Sequence, residues 1–443
     1  MNLSKRLSVP SILALLSILL LMLSVACSTE TPGDNVSSDN GEATSSTISF
    51  MVFGDPAELA AYQNLVAAFE EQFSTIKVEL IHVPGQGDYR TRLATDFAAG
   101  TPADVVLINY RRYAAFAARG VLEPLGPYLE NSEIITKEDF YPVAIAPFHW
   151  QGELSCIPQN LSSLVVYYNK QIFDTAGLPY PTDDWTWAEF LATAQTLTLD
   201  LDGDGAIDQF GLGTEPSIFR LAPFIWQNGG DLVDDPQNPT RLTLDTPEAS
   251  EAMQWFVDLQ VTHHVVPSAE EEAAEESESR FQNGRLAMFL NSRRGVPTYR
   301  QIEGFDWDVA ALPQNKQQAG ILHADAYCMA AVAENKELVW QFIEFANSID
   351  GQTIVAQSGR TVPSLMAVAE SPAFLDPEAR PQNSQVFLST VPAIRGVPIM
   401  ETWVDIEVIA GDELERAFYG HATVAEVIQA TTERTQTFFA ETR

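Results

Sequence analysis

Between residues 48 and 108 the chain alternates strand and helix signals in an order that few folds accept. Ile48–Phe53 (ISFMVF) reads as a short strand closed by Gly54-Asp55-Pro56. Leu59, Tyr62, Leu65, Val66 and Phe69 then recur at helical spacing. Lys77–Val83 alternates as a second strand, residues 88–99 read as a helix stopping at Gly100, and residues 103–108 (ADVVLI) form a third strand. A β-α-β-α-β order calls for a parallel sheet with helices on its faces, because parallel neighbours need a crossover between them. In such sheets ligands sit at the carboxyl ends of the strands. Those ends are Phe53-Gly54, Pro84-Gly85-Gln86-Gly87 and Asn109-Tyr110.

A second stretch, residues 157–196, carries the most detailed local code. Leu164-Val165-Val166-Tyr167-Tyr168 reads as a strand buried on both faces. A short helix follows to Ala176, with Gly177 placed for the left-handed cap, and Pro179 and Pro181 bar further helix. Thr186 with Glu189 forms a capping box that launches a helix through Phe190, Leu191 and Ala194.

The string VVYYNKQIFDTAGLPYPTDDWTWAEF within this stretch resembles the segment past the first interlobe crossing in extracellular sugar-binding proteins of ABC importers (solute-binding family 1, maltose-binding-protein-like). KVELIHVPGQGDYRTRLATDFAAGTPADVVLINY and ARGVLEPLGPYL resemble the same family's first lobe. The resemblance implies an α/β, two-lobed periplasmic-binding-protein-like (type II) fold, each lobe a mostly parallel sheet flanked by helices. It implies three crossings, giving lobe 1 as residues 48–157 plus 308–360 and lobe 2 as residues 158–307 plus 361–443. It further implies capture of a mono- or oligosaccharide by hinge closure, delivery to membrane permease subunits, a monomer and no required cofactor.

Residues 1–27 read as a targeting segment. Lys5 and Arg6 precede an apolar run, Ile12 to Leu23, that is too short to span a bilayer before polar sequence begins. Its end, Ser24-Val25-Ala26-Cys27, resembles a bacterial lipobox with Cys27 as the lipidated residue, although Ser24 stands where Leu is usual. Residues 28–47, rich in Ser, Thr, Gly, Asp and Asn, are expected to be a flexible tether. The chain is thus expected in the cell envelope, extracytoplasmic and lipid-anchored, periplasmic or on the outer cell surface. Export permits a disulfide between Cys156 and Cys328, but two cysteines do not establish one, and free buried thiols are the preferred reading.

A sugar presents flat C–H faces and rings of hydroxyls, so its site needs aromatic platforms and planar polar side chains. Strand ends and crossing turns offer Phe53, Gln86, Asn109, Tyr110, Gln159, Asn160, Trp226, Gln227, Asn291, Arg293, Asp325, Tyr327, Arg360 and Trp403. Many relatives carry Trp where Phe53 stands. Trp185, Trp187, Trp255 and Trp340 fall on helical faces and are expected in the core, whereas Trp226 and Trp403 are the cleft candidates. The acidic run Glu270–Glu278 is read as a solvated helix face with no role.

Asp200, Asp202, Asp204 and Asp208, with the carbonyl of Ala206, match much of an EF-hand-type loop and could hold a structural Ca2+. Gly211 occupies the place of the usual bidentate glutamate, so a solvated Asp/Gly turn is the alternative. The histidines lack ligand-spaced partners, and no nucleophile-elbow, zincin, P-loop or dinucleotide motif occurs. A net charge of −35 excludes nucleic acid as a partner, since no cationic surplus exists to neutralise phosphates. A secreted carbohydrate-active enzyme, or a sensor or adhesin on the same fold, are the competing classes.

Overall fold

The computed structural model describes residues 46–440. The targeting segment, Cys27 and nearly all of the tether lie outside the described residues. Nine strands build two sheets: β1 (Ser46–Phe53), β2 (Ile76–Val83), β3 (Val105–Asn109), β4 (Cys156–Pro158), β5 (Val165–Asn169), β6 (Phe210–Gly213), β7 (Leu286–Asn291), β8 (Trp307–Ala310) and β9 (Asp325–Met329). The first sheet has the order β2-β1-β3-β9-β4 and the second β8-β5-β7-β6.

Both sheets are mixed. β1 runs parallel to β2 and β3, but β9 runs antiparallel to β3 and to β4. β7 runs parallel to β6, and β5 runs antiparallel to β7 and β8. The expected parallel character therefore holds for β2-β1-β3 and for the β7-β6 pair. The reversed strand of each sheet, β9 in the first and β5 in the second, is the one by which the chain arrives from the other sheet.

Local code explains the elements. Pro56 opens the helix α1 (Pro56–Gln72), and the Asp55 carboxylate caps it by accepting from the amides of Ala57 and Glu58, each at 2.9 Å. β5 is buried along its whole length. Gly177 closes the helix Lys170–Ala176 at φ 67°, a left-handed value that costs a glycine little. The Thr186–Glu189 capping box forms on the helix Trp187–Thr196. Trp187 stacks on Trp255 at 4.2 Å, and Trp185 and Trp340 are buried, as their helical spacing requires.

Residues 307–310 were expected to lead back to the first lobe. They instead form β8 at the edge of the second sheet, where Trp307 pairs with Asn169 and Ala310 with Val166. All four residues of β8 are buried and β5 pairs along their edge, so the return crossing falls after Ala310.

The crossing segments are hydrogen-bonded to each other. Asn160-Leu161 pairs antiparallel with Val362-Pro363. Ser162 and His323 exchange backbone hydrogen bonds of 2.8 and 2.9 Å. In the first sheet next to them, β4 and β9 are joined by a disulfide between Cys156 and Cys328. The reading of free thiols is thus corrected. The two residues stand directly opposite in the antiparallel register, 4.4 Å apart at Cα, the separation of a pair not bonded through its own backbone. Sequence separation hid this proximity, since the two are 172 positions apart.

Candidate ligand-binding cleft

A cleft of about 770 Å³ opens beyond the carboxyl ends of β1 and β3 and is closed on its other side by segments following β6 and β7. Six of the sequence-predicted residues line it: Phe53, Gln86, Asn109, Asn160, Asp325 and Arg360. Asn109 ends β3 and caps the helix α2 (Tyr110–Ala117), its carbonyl oxygen accepting from the Arg111 backbone and Nε at 3.3 and 3.2 Å. Its Nδ2 donates to Asp325 Oδ1 at 3.2 Å. The Asp325 amide donates to Asn160 Oδ1 at 3.1 Å, which ties the first crossing to the start of β9.

Arg360, on the last crossing, donates to Asp55 Oδ2 and pairs with Glu58 Oε2, both at 2.7 Å. Gly54 makes room for this pair. It sits at φ 123°, and a Cβ there would lie 1.6 Å from the Glu58 carboxylate. Burial pushes the Glu58 carboxyl up to about 7, against the pull of Arg360. Burial likewise raises Asp325, opposed by its hydrogen bond from Asn109 and by the charge of Arg111.

The other eight predicted residues lie outside the cleft lining, and each has a different task. Tyr110 is fully buried, its hydroxyl accepting from the Val397 amide at 3.3 Å. Gln159 donates to the hydroxyls of Tyr62 and Tyr327 at 2.8 and 2.9 Å, which also accounts for Tyr327. Trp226 is buried under the Arg395 guanidinium, 4.9 Å from its ring. Gln227 accepts from Trp187 Nε1 at 2.7 Å and donates to the Ala319 carbonyl at 2.9 Å. Asn291 donates to the Tyr299 hydroxyl at 2.7 Å. Arg293 donates to the Gly359 carbonyl at 2.8 Å and Ser384 Oγ at 3.0 Å, its guanidinium packed against Phe374 and Phe387. Trp403 is buried at the start of the helix Trp403–Phe418. Planar polar groups at strand ends have here been used inward, to satisfy buried neighbours.

The sequence reading missed four of the cleft's five arginines. Arg90, Arg111, Arg220 and Arg294 line it together with Arg360. Arg111 pairs with Glu407, Arg220 with Glu215 at 3.3 Å, and Arg294 with Glu278 at 3.9 Å. Glu278 belongs to the acidic run that had been given no role. Phe219 is clasped between the Arg111 guanidinium, 4.0 Å from its centre, and the His323 ring at 4.7 Å. Two signals pointed this way. Arg90 lies four residues after Gln86 on one helical face, and Arg111 directly follows a predicted residue.

The aspartate loop lies apart from the cleft-lining residues. Asp200, Asp202 and Asp208 bring one carboxylate oxygen each within 4.8 Å of one another. Asp204 is not in this group; its Oδ1 accepts from the Ala206 amide at 2.8 Å. Asp200 accepts from the amides of Gly203 and Gly205 at 2.7 and 2.9 Å, and these bonds hold its carboxyl below the usual range. Among the described residues no helix is long and apolar enough to cross a membrane.

Comparison with known proteins places this geometry. The family model for bacterial extracellular solute-binding protein matches residues 54–353. A binding protein of Brucella abortus is 24% identical over 366 residues, 81% of this chain and 85% of its own length. A galactooligosaccharide-binding protein of Bacillus subtilis is 21% identical over 376 residues, 82% of this chain and 83% of its own. Among solved structures, an ABC substrate-binding protein from Listeria monocytogenes in complex with cycloalternan superposes with a TM-score of 0.81. It is 24% identical and covers 89% of this chain and 99% of its own. That likeness is one of fold: two lobes, each with its own sheet.

Proposed function

The chain belongs to the bacterial extracellular solute-binding proteins, and on that premise we propose that it captures a carbohydrate in its cleft and delivers it to the permease of an ABC importer. The observation carrying this reading is the composition of the cleft. Its lining sets carboxylates, amides and guanidiniums beside the faces of Phe53 and Phe219, which matches a hydroxyl-rich ring with apolar faces. The carbohydrates in the names of the Bacillus and Listeria relatives support it.

Capture works by hinge closure. The hydrogen-bonded crossing segments form the hinge, and a ligand that touches both walls only when they approach shifts the open–closed population towards closed. Residues 48–157 with the return through residue 360 form one lobe, and the remainder of the folded chain the other, the return crossing lying after Ala310. Turnover is no part of this reading. Asp55 and Glu58 are engaged by Arg360, and Glu215, Glu278 and Glu407 each by its own arginine. Residues 1–27 direct export, Cys27 is lipidated, residues 28–47 tether the monomer to the membrane, and the Asp200 loop takes a structural Ca2+.

A thermal-shift screen of the whole chain against mono- and oligosaccharides tests the central claim. A ligand that binds only the native state raises Tm in a saturable way. If amino acids or polyamines do so and no carbohydrate does, the carbohydrate assignment fails. For the loop, Ca2+ is expected to raise Tm relative to chelator, and Asp202→Asn to abolish the difference.

A further inference from the structure

Five guanidiniums line the cleft of a chain that has 25 Lys and Arg against 60 Asp and Glu. Four of them have a carboxylate within ion-pair distance; Arg90 does not. Its hydrogen bond runs to a neutral amide, Gln86 Oε1, at 2.6 Å. Beside it stand Arg111 and Arg112, and these three cations face three carboxylates, Asp325, Asp405 and Glu407. Glu407 is already held by Arg111, and Asp325 by Asn109. The Arg112 Nε is buried without a hydrogen-bond partner.

A second observation comes from His323. Its ring lies against Phe219, its Nε2 is buried without a partner, and the charges acting on it are those of Arg220, Arg111 and Arg294. Burial first, and these cations next, push its pKa well below the ordinary value, so it sits there uncharged. The lining as a whole sets five guanidiniums against six carboxylates, Asp55, Glu58, Glu215, Glu278, Asp325 and Glu407, and of the guanidiniums Arg90 is the one without a carboxylate partner. Aromatic platforms are few, with Phe53 and Phe219 alone among the lining residues.

We infer that the carbohydrate taken by this cleft carries an anionic group, a carboxylate or a phosphate ester, bound by Arg90 and Arg111. Guanidinium matches either anion with two parallel hydrogen bonds. The inference rests on the carbohydrate reading and narrows it. Such a ligand supplies the carboxylate or phosphate that Arg90 lacks.

Isothermal titration of the whole chain against hexuronates, oligogalacturonates and hexose 6-phosphates, each beside its neutral counterpart, tests the proposal. The acidic member is expected to bind about tenfold or more tightly than the neutral one, with the advantage shrinking in high salt. Carboxylate and phosphate arms identify which anion is preferred. Arg90→Gln is expected to lower affinity for the acidic sugar about tenfold or more, and Arg90→Lys to restore part of it. Neutral sugars binding as tightly as their acidic partners, or Arg90→Gln binding like the parent, overturns the inference while the carbohydrate reading stands. If neither kind binds and another solute class does, both fall.

Discussion

On the side of the first sheet the cleft wall hides a carboxylate. Glu58 leaves 8% of its side chain exposed, and Arg360 reaches in from the last crossing to meet it. On the side of the second sheet the wall hides a cation instead. Arg220 leaves 6% of its side chain exposed while its partner Glu215 stands 58% exposed. Burial penalises whichever ion is taken from water, so the first wall strains towards a protonated acid and the second depends on solvated acids around a fixed cation. The first should answer to pH and the second to salt. The sheets behind them differ as well, since the disulfide staples the first and joins no strand of the second.

The largest effect is expected at the staple. Replacing both Cys156 and Cys328 with Ser frees a loop of 172 residues in the unfolded chain, a loss of about 5 kcal/mol in the chain-entropy model. Denaturant titration in the absence of reductant measures it. A double variant as stable as the parent would mean the staple contributes nothing.

Next comes the buried ion. Arg360→Met leaves Glu58 without its cation, at a cost of about 3–5 kcal/mol near pH 8. The cost should shrink near pH 5.5, where Glu58 takes up a proton. A cost independent of pH would assign the effect to lost packing.

The parent's own pH dependence is smaller. The folded-state value of Glu58 is raised, from 4.5 to about 7. Between those values the folded chain holds a proton that the unfolded chain has lost, so stability falls as pH rises through that window. Relative to Glu58→Gln the parent should lose on the order of 3 kcal/mol across it. Parallel pH profiles for the two would remove the first wall's distinction. The smallest effect is expected on the second wall. Arg294 and Glu278 pair at 3.9 Å with both side chains partly in solvent, so Arg294→Gln should change stability by less than about 1 kcal/mol. A larger loss would mean that the second wall is as tightly built as the first.

The order of strands and helices was legible because periodicity, Gly177 and the Thr186–Glu189 box are local signals. The cleft was legible only to within a residue. Gln159 is buried and Asn160 lines it; Tyr110 is buried and Arg111 lines it; Asn291 and Arg293 are buried while Ser292 and Arg294 line it. Adjacent side chains point in different directions, to opposite sides of an extended segment such as 159–160 and about a quarter-turn or more apart at the start of a helix such as Tyr110–Ala117, so a shift of one position exchanges wall for interior. Which of two polar neighbours turns inward depends on what must be satisfied there, such as the hydroxyls of Tyr62 and Tyr327 beneath Gln159. Those partners come from distant parts of the chain. Trp226 and Trp403 misled for a related reason, because helix ends beside turns can face the core as readily as the cleft.

The place of β9 in the first sheet sets a timetable. β4 pairs only with β9, and β9 also covers the open edge of β3. The sheet begun at residue 46 cannot close until residue 329 has been synthesised, by which time all four strands of the second sheet exist. A nascent chain therefore spends most of its synthesis with an unfinished first sheet, and Cys156 waits through 172 further residues for its partner. Long-range closure of this kind is slow, and here it waits until nearly three-quarters of the polypeptide has been made.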